Sequence, residues 1–217
     1  YQSLDFSGAI GGFLIGVLIF GSGGWKLILP LVFFFLSSSL LSSLKNKPPS
    51  NRDLMQILAN GGLPALFALY YYFFPDDILL LGYIGSLSAS TADTWATEIG
   101  FLSKKNPYLV FSFKQVSKGE SGSISAIGTI GSIAGAFILG IMCSYLFNIN
   151  YLIVMVAIAG CMGSFIDTLL GRYLQGKYIC IKCSQKTENK LHCNTETKLK
   201  TGYRFIDNNF VTVSYTH

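Results

Sequence analysis

Residues 78–100 read ILLLGYIGSLSASTADTWATEIG, an apolar stretch that carries two carboxylates. Its length matches the ~20 residues that a helix needs to cross a bilayer. Asp93 and Glu98 lie inside the stretch, where a charged side chain is costly and normally faces a cavity, a partner or an ion. The stretch therefore predicts a membrane helix with a functional polar face.

The composition of the whole chain agrees with a membrane protein. Of its 217 residues, 51% are hydrophobic and 12% are charged, which is about half the ~25% charge of soluble domains. A soluble globule, a disordered chain and a collagen-like repeat do not fit these values. The sequence predicts an all-α polytopic protein with a membrane domain (1–171) and a short tail (172–217). Its six predicted transmembrane helices are residues 8–20, 25–44, 54–74, 78–100, 124–147 and 152–170.

The basic residues are distributed unequally between the predicted joints. Fifteen of the 16 Lys and Arg residues follow the second, fourth or sixth predicted helix, and the exception is Lys26. Because basic loops remain on the cytoplasmic side, the long loops and the tail are expected there. The same asymmetry accounts for the net charge of +5, so no nucleic-acid partner is expected.

A further carboxylate, Asp167, lies in the sixth predicted helix. Asp93 is seven residues before Gly100 and Asp167 is four before Gly171, so at ~1.5 Å per residue the two differ in depth by ~5 Å. Carboxylates at similar depth near the basic face are typical of a Mg²⁺ site completed by substrate phosphate oxygens. The alternative is a pair of helix-end carboxylates neutralised by loop lysines.

Polar and small residues accompany these acids. Residues 60–62, Asn-Gly-Gly, predict an unwound turn that exposes backbone groups to a ligand. The loop before the fifth predicted helix offers glycine amides and a lysine, which can cradle a phosphate or form an ordinary flexible loop. The hydroxylated residues near Asp93 are either ligand-binding or helix-packing residues. The candidates for nucleotide binding are Asn60, Thr94, Lys118, Gly119, Ser121 and Gly122.

Four of the residues in the tail are typical zinc ligands. Cys180 and Cys183 form a CxxC motif, and His192 and Cys193 follow on the same, reducing side. Thiolate and imidazole suit a closed tetrahedral site, so a structural Cys₃His zinc knuckle is expected. Reduced free thiols or a disulfide would also fit this pattern. The remaining cysteines, Cys143 and Cys161, fall within predicted helices as small apolar residues.

Several blocks resemble a known integral-membrane family. They are TADTWATEIG (91–100), NRDLMQILANGG (51–62), GSFIDTLLGRYLQ (163–175) and DNNFV (207–211). The family contains the plastid phytyl-phosphate kinase of vitamin E biosynthesis and the vertebrate transmembrane protein nineteen. The resemblance implies phosphoryl transfer from a nucleoside triphosphate, with CTP favoured, to an isoprenoid monophosphate. The family residues that match are Asp93, Glu98, Asp167 and Asn60.

The chain departs from the family pattern at its glycine loop. Where the family has a GTNGGVS-like loop, this chain has GESGSIS, which introduces Glu120 and Ser123. Arg172 stands where a small residue is usual, and FVT replaces a closing VVN. The family tends to have one more upstream helix, which is expected here because the chain opens on Tyr1 rather than Met.

The favoured function is a prenyl-phosphate kinase with an isoprenoid phosphate lipid and a nucleotide as partners, in contact with membrane lipids. Asp93, Glu98 and Asp167 are the expected catalytic residues. A phosphate acceptor is already ionised, so positioning and charge neutralisation by Mg²⁺ and lysines suffice. An isoprenoid alcohol kinase would need a base, for which Glu98 is the candidate. The sequence is also compatible with a lipid-phosphate cytidylyltransferase and with an ion-coupled transporter.

Overall fold

A computed structural model describes residues 4–44, 52–112, 114–184, 186–187 and 191–203. This part of the chain contains five helices, four of which are long and apolar enough to cross a membrane. The exception is the third helix, which carries the polar sequence of residues 86–98. The helices are α1 (Phe6–Ser43), α2 (Leu54–Phe73), α3 (Asp77–Leu102), α4 (Ala126–Phe147) and α5 (Leu152–Tyr173).

Helix α1 contains both of the first two predicted spans and is broken between them. Gly23 and Gly24 leave helical geometry, and Gly24 has a φ of 62°, which glycine adopts without strain. A Cβ on Gly16 would lie 4.0 Å from Ile28 Cδ1, although twelve residues of straight helix would separate these positions by about 18 Å. The chain therefore doubles back at the glycine pair. The predicted count of six transmembrane helices is not confirmed.

Helix α3 lies at the centre and packs against each of the other four helices. Residues 86–92, which are mostly Ser, Thr and Ala, are all buried. Small residues also bring α4 close, because a Cβ on Gly128 would lie 2.7 Å from the Ala96 carbonyl oxygen and one on Gly131 would lie 3.0 Å from that of Trp95. Small residues at membrane helix contacts allow such backbone approach. The polar helix is thus surrounded by protein.

Helix α2 is regular through the position where an unwound turn was predicted, so that prediction is wrong. The Asn60 side-chain amide donates to the Gln56 carbonyl at 3.0 Å, within the same helix. The Asn60 carbonyl accepts from Ser90 Oγ of α3 at 3.2 Å. Gly61 serves packing instead, since a Cβ there would lie 3.1 Å from Ile15 Cδ1 of α1. The polar groups of this block hold α2 to α3.

Among the described residues, two antiparallel sheets lie outside the helices. The first joins β1 (Tyr108–Leu109) to β2 (Ser123–Ile124) in the long loop between α3 and α4. The second occupies the tail, in the order β4-β3-β6-β5, and was not predicted from the sequence. Its strands are β3 (Lys177–Cys180), β4 (Lys186–Thr187), β5 (Leu191–His192) and β6 (Thr195–Thr201).

Candidate active site

A cavity of about 740 Å³ opens between α2, α3, α4, α5 and the α3–α4 loop. All nine residues that the sequence singled out for catalysis or nucleotide binding line it. They are Asn60, Asp93, Thr94, Glu98, Lys118, Gly119, Ser121, Gly122 and Asp167. The structure therefore brings together residues that are more than a hundred positions apart, while their individual roles stay predictions.

Two carboxyl groups meet in this cavity. The side chain of Asp93, on α3, lies within hydrogen-bonding range of that of Asp167, on α5. Asp167 Oδ1 is buried and has no hydrogen-bond partner within the described ranges. Two carboxylates this close repel each other unless a proton or a cation lies between them. The possible metal ligands here are the oxygens of two carboxylates, one of which, Asp167 Oδ1, is buried. Such oxygen ligands fit a hard cation such as Mg²⁺.

A third carboxylate has a basic partner that sequence reasoning missed. Glu98, which is 8% exposed, interacts electrostatically with Arg52. Arg52 lies two residues before α2 and lines the same cavity, with its guanidinium carbon 5.9 Å from the centre of the Phe35 ring. The sequence predicts only that Arg52 lies just before a helix, because it directly precedes Asp53, which caps α2 by accepting from Gln56 N at 2.8 Å.

The glycine loop of residues 119–122 forms a fixed wall of the cavity. Gly119 and Gly122 have φ values of 87° and 81°, the left-handed region that favours glycine. A Cβ on Gly122 would lie 2.5 Å from Arg172 Cα and 2.9 Å from Arg172 N, so the loop rests on the backbone of α5. The Gly122 carbonyl accepts from Val110 N at 3.1 Å. These contacts join the loop to α5 and to Val110.

Two lysines hold this loop through backbone oxygens. Lys118 Nζ donates to the carbonyls of Phe101, at 3.2 Å, and Ser103, so its charge sits at the C-terminal end of α3. Lys177 Nζ, at the start of β3, donates to the Ser121 carbonyl at 2.9 Å. Lys118 lines the cavity as predicted, but two of the three ammonium donors are occupied. Its described contacts position the loop, and phosphate binding by Lys118 stays a prediction.

The N-terminus of α4 faces the cavity beside this loop. Ser125 caps the helix by accepting from Gly128 N at 3.1 Å, and both residues line the cavity. The positive end of a helix dipole favours anions at this position. Glu120, a departure from the family pattern, also lines the cavity, and its carbonyl accepts from Ser123 Oγ at 2.7 Å.

The four predicted zinc ligands of the tail form a separate cluster. The ligand atoms of Cys180, Cys183, His192 and Cys193 all lie within 4.8 Å of one another. A hydrogen bond from the Cys183 backbone lowers the pKa of the Cys180 thiol to about 6. A hydrogen bond with the Cys183 side chain raises the pKa of Cys193 to about 11. The four residues could hold a metal ion together, and the cysteines would bind it as thiolates.

Apolar spanning helices around a cavity lined by carboxylates define a polytopic membrane protein with a polar site inside the bundle. The chain belongs to the family described as Integral membrane protein DUF92, whose model matches residues 1–216. This match confirms that the protein is an integral membrane protein and supports the family resemblance drawn from its sequence blocks.

Three similar proteins come from an archaeon and a plant. The uncharacterized membrane protein MJ0933 of Methanocaldococcus jannaschii is 33% identical over 82% of this chain and 77% of its own length. Protein PGR of Arabidopsis thaliana is 28% identical over 97% of this chain and 84% of its own length. Protein VTE6, chloroplastic, of Arabidopsis thaliana is 26% identical over 63% of this chain and 45% of its own length. No solved structure matches the chain.

Proposed function

We propose that this protein is a membrane-embedded phosphotransferase that transfers a phosphoryl group from a nucleoside triphosphate to an isoprenoid monophosphate, giving the diphosphate. The observation that carries the proposal is the meeting of Asp93 and Asp167 in a cavity shared with Arg52 and the glycine loop. The resemblance of the sequence blocks to a family with a plastid phytyl-phosphate kinase supplies the acceptor class and favours CTP. A chloroplast protein among the relatives agrees with that resemblance.

The cavity suits a lipid phosphate and a nucleotide phosphate together. Its volume of about 740 Å³ lies within the ~300–1,000 Å³ typical of small-molecule sites. Its lining is mixed, since the polar groups of the site share it with Phe34, Ile133 and Phe165. The last two lie on spanning helices and are also partly exposed on the bundle surface. A lipid can therefore present its headgroup to the polar wall while its chain stays in an apolar environment.

Asp93 and Asp167 would hold a Mg²⁺ ion. The ion would neutralise negative charge on the transferred phosphoryl group. Arg52 adds a positive charge to the same cavity. The glycine loop and the first turn of α4 contribute backbone N–H groups beside the cavity, where they can hold phosphate oxygens without carrying a charge of their own. Together these groups position the two phosphates and compensate their negative charge.

We take the acceptor to be a phosphate monoester rather than an alcohol. An alcohol must lose a proton during transfer, whereas a phosphate monoester already presents an ionised oxygen. Glu98 then acts by holding Arg52 in the cavity.

The test is a transfer assay with the purified full chain in detergent. CTP, ATP, GTP and UTP are each supplied with Mg²⁺ and a panel of isoprenyl monophosphates, and the diphosphate product is measured. We expect Asp93→Asn and Asp167→Asn each to lower turnover by about three orders of magnitude or more, because charge developing during transfer is no longer neutralised.

Asp77→Asn is the matched control, because it removes the same charge from an exposed position in the first turn of α3 and should leave turnover unchanged. Undiminished turnover in both cavity variants would refute the metal-binding role. Absence of turnover with every nucleotide, together with ion-driven flux in proteoliposomes, would refute the phosphotransferase and favour a carrier.

A further inference from the structure

The tail presents its four Cys and His residues on two neighbouring hairpins. Cys180 ends β3 and Cys183 lies in the turn that follows it, whereas His192 ends β5 and Cys193 lies in the turn before β6. Strands β3 and β6 are antiparallel, with Cys180 opposite Thr197, so the end of β3 lies beside the start of β6. The sheet therefore places both turns at the same end of its strands. This brings the Cys180–Cys183 pair next to the His192–Cys193 pair.

Three distances within this cluster, those among Cys183, His192 and Cys193, match the distances in a tetrahedral metal site. Cys183 Sγ lies 3.8 Å from Cys193 Sγ, and His192 Nδ1 lies 3.4 Å from Cys183 Sγ and 3.2 Å from Cys193 Sγ. Around a zinc ion with ~2.3 Å bonds to sulfur and ~2.0–2.1 Å bonds to nitrogen, two sulfurs are about 3.8 Å apart and a sulfur and a nitrogen about 3.5 Å apart. The three measured separations agree with these values within about 0.3 Å.

The backbone explains how adjacent residues in the sequence can share one ion. Cys193 has a φ of 53° and Asn194 a φ of 57°, so the chain turns through the left-handed region directly after His192. Ser184, next to Cys183, has a φ of 58° and gives the other hairpin a similar turn. Left-handed residues of this kind are uncommon outside glycine and persist where the surrounding structure requires them. Here they occur in the two turns that bring all four ligand atoms within 4.8 Å of one another.

We infer that the tail binds one structural Zn²⁺ ion through Cys180, Cys183, His192 Nδ1 and Cys193. Three thiolates and one imidazole suit zinc, and four protein ligands close the coordination sphere, which is typical of a structural site. All four cysteine and histidine ligands lie outside the cavity lining, so the ion takes no part in phosphoryl transfer. It fixes the end of β3, and the other end of that strand holds the glycine loop through Lys177 and the Ser121 carbonyl.

The first test measures metal in the full chain purified in detergent without chelator. We expect one zinc per chain, and substitution by Co²⁺ should give the visible absorption of a tetrahedral, sulfur-rich site. Cys183→Ser and Cys193→Ser should lose the zinc, whereas Cys161→Ser, which changes a thiol outside the cluster, should keep it. Retention of a full equivalent of zinc by both cluster variants would overturn the assignment.

His192→Cys keeps the assignment testable if the serine variants do not fold. Four thiolates also form a closed zinc site, so this variant should retain one zinc and shift the cobalt spectrum toward that of a four-sulfur site. An unchanged cobalt spectrum would show that His192 is not a ligand and would overturn the Cys₃His set. Iron in place of zinc, or protein without metal that binds no Co²⁺ after reduction, would overturn the zinc site itself.

Discussion

Replacing Gly122 by Ala tests whether contact between the glycine loop and α5 sets nucleotide binding. The comparison is Gly119→Ala, since both glycines have a φ near 80–90° and alanine in the left-handed region costs about 1–2 kcal/mol at either position. Only Gly122 faces rigid backbone, with its new methyl group 2.5 Å from Arg172 Cα. At Gly119 the nearest atom is the end of the Phe101 ring, at 3.2 Å, which can rotate away.

The difference between the two variants follows from these contacts. The backbone cost alone corresponds to about a 5- to 30-fold weaker docking of the loop. An added methyl group in a tightly packed contact costs about 1–3 kcal/mol more, so Gly122→Ala should weaken triphosphate binding by at least a further fivefold or so. Carbon atoms normally approach to about 3.5–4.0 Å, so the loop must move about 1 Å away from α5.

The assay measures the Kd of a non-hydrolysable nucleoside triphosphate for each variant in detergent, which needs no turnover. Gly62→Ala serves as a control for added volume, because a Cβ at Gly62 has no neighbour within 4 Å and alanine is favourable in a helix. Its Kd should equal that of the unmodified chain. Equal Kd values for Gly119→Ala and Gly122→Ala would refute the view that docking on α5 positions the loop.

Two further predictions concern Arg52 and the orientation of the bundle. Arg52→Gln should weaken binding of the non-hydrolysable triphosphate by about tenfold or more and Arg52→Lys by less, because a cation beside the site attracts phosphate; equal binding by all three chains would contradict this. An impermeant thiol reagent should label Ser112→Cys above the wild-type level only from the side that also reaches the tail, and Asp77→Cys only from the opposite side. Labelling of both from one side would contradict the orientation drawn from the basic loops.

The helices of the membrane domain were largely predictable from the sequence. The spans predicted at 54–74, 78–100, 124–147 and 152–170 agree with α2 to α5 within three residues at each end. Apolar runs between polar joints are a strong signal, because a bilayer leaves few structures other than a helix. The first two spans were predicted at the right positions, but as two separate helices. Their continuity within α1 was not predictable, because the geometry at Gly23 and Gly24 depends on how the flanking segments pack.

Sequence reasoning selected nine residues that line the cavity, but it did not predict their contacts. A carboxylate within an apolar spanning stretch is costly. This cost identifies Asp93, Glu98 and Asp167 as candidate functional residues before the fold is known. Arg52 carries no such mark, because a basic residue before a helix is ordinary until Glu98 is seen beside it. The Asn60 block was misjudged for a related reason, since a polar side chain in a helix can bond to the preceding turn instead of to a ligand. The tail sheet was missed because its strands are short and largely polar.

The contacts that join the glycine loop to neighbouring segments involve backbone atoms of the loop. Lys118 and Lys177 connect to carbonyl oxygens of Phe101, Ser103 and Ser121, and Gly122 rests on the Arg172 backbone. The departures at residues 120 and 123 change the chemistry of the cavity wall, and Ser123 also contributes a hydrogen bond to the Glu120 carbonyl within the loop. An additional carboxylate at Glu120 makes that wall more negative, which disfavours direct contact with a triphosphate at this residue. On the proposed function, contacts to the loop backbone set the placement of the loop, whereas the choice of nucleotide is expected to depend on the side chains that line the cavity.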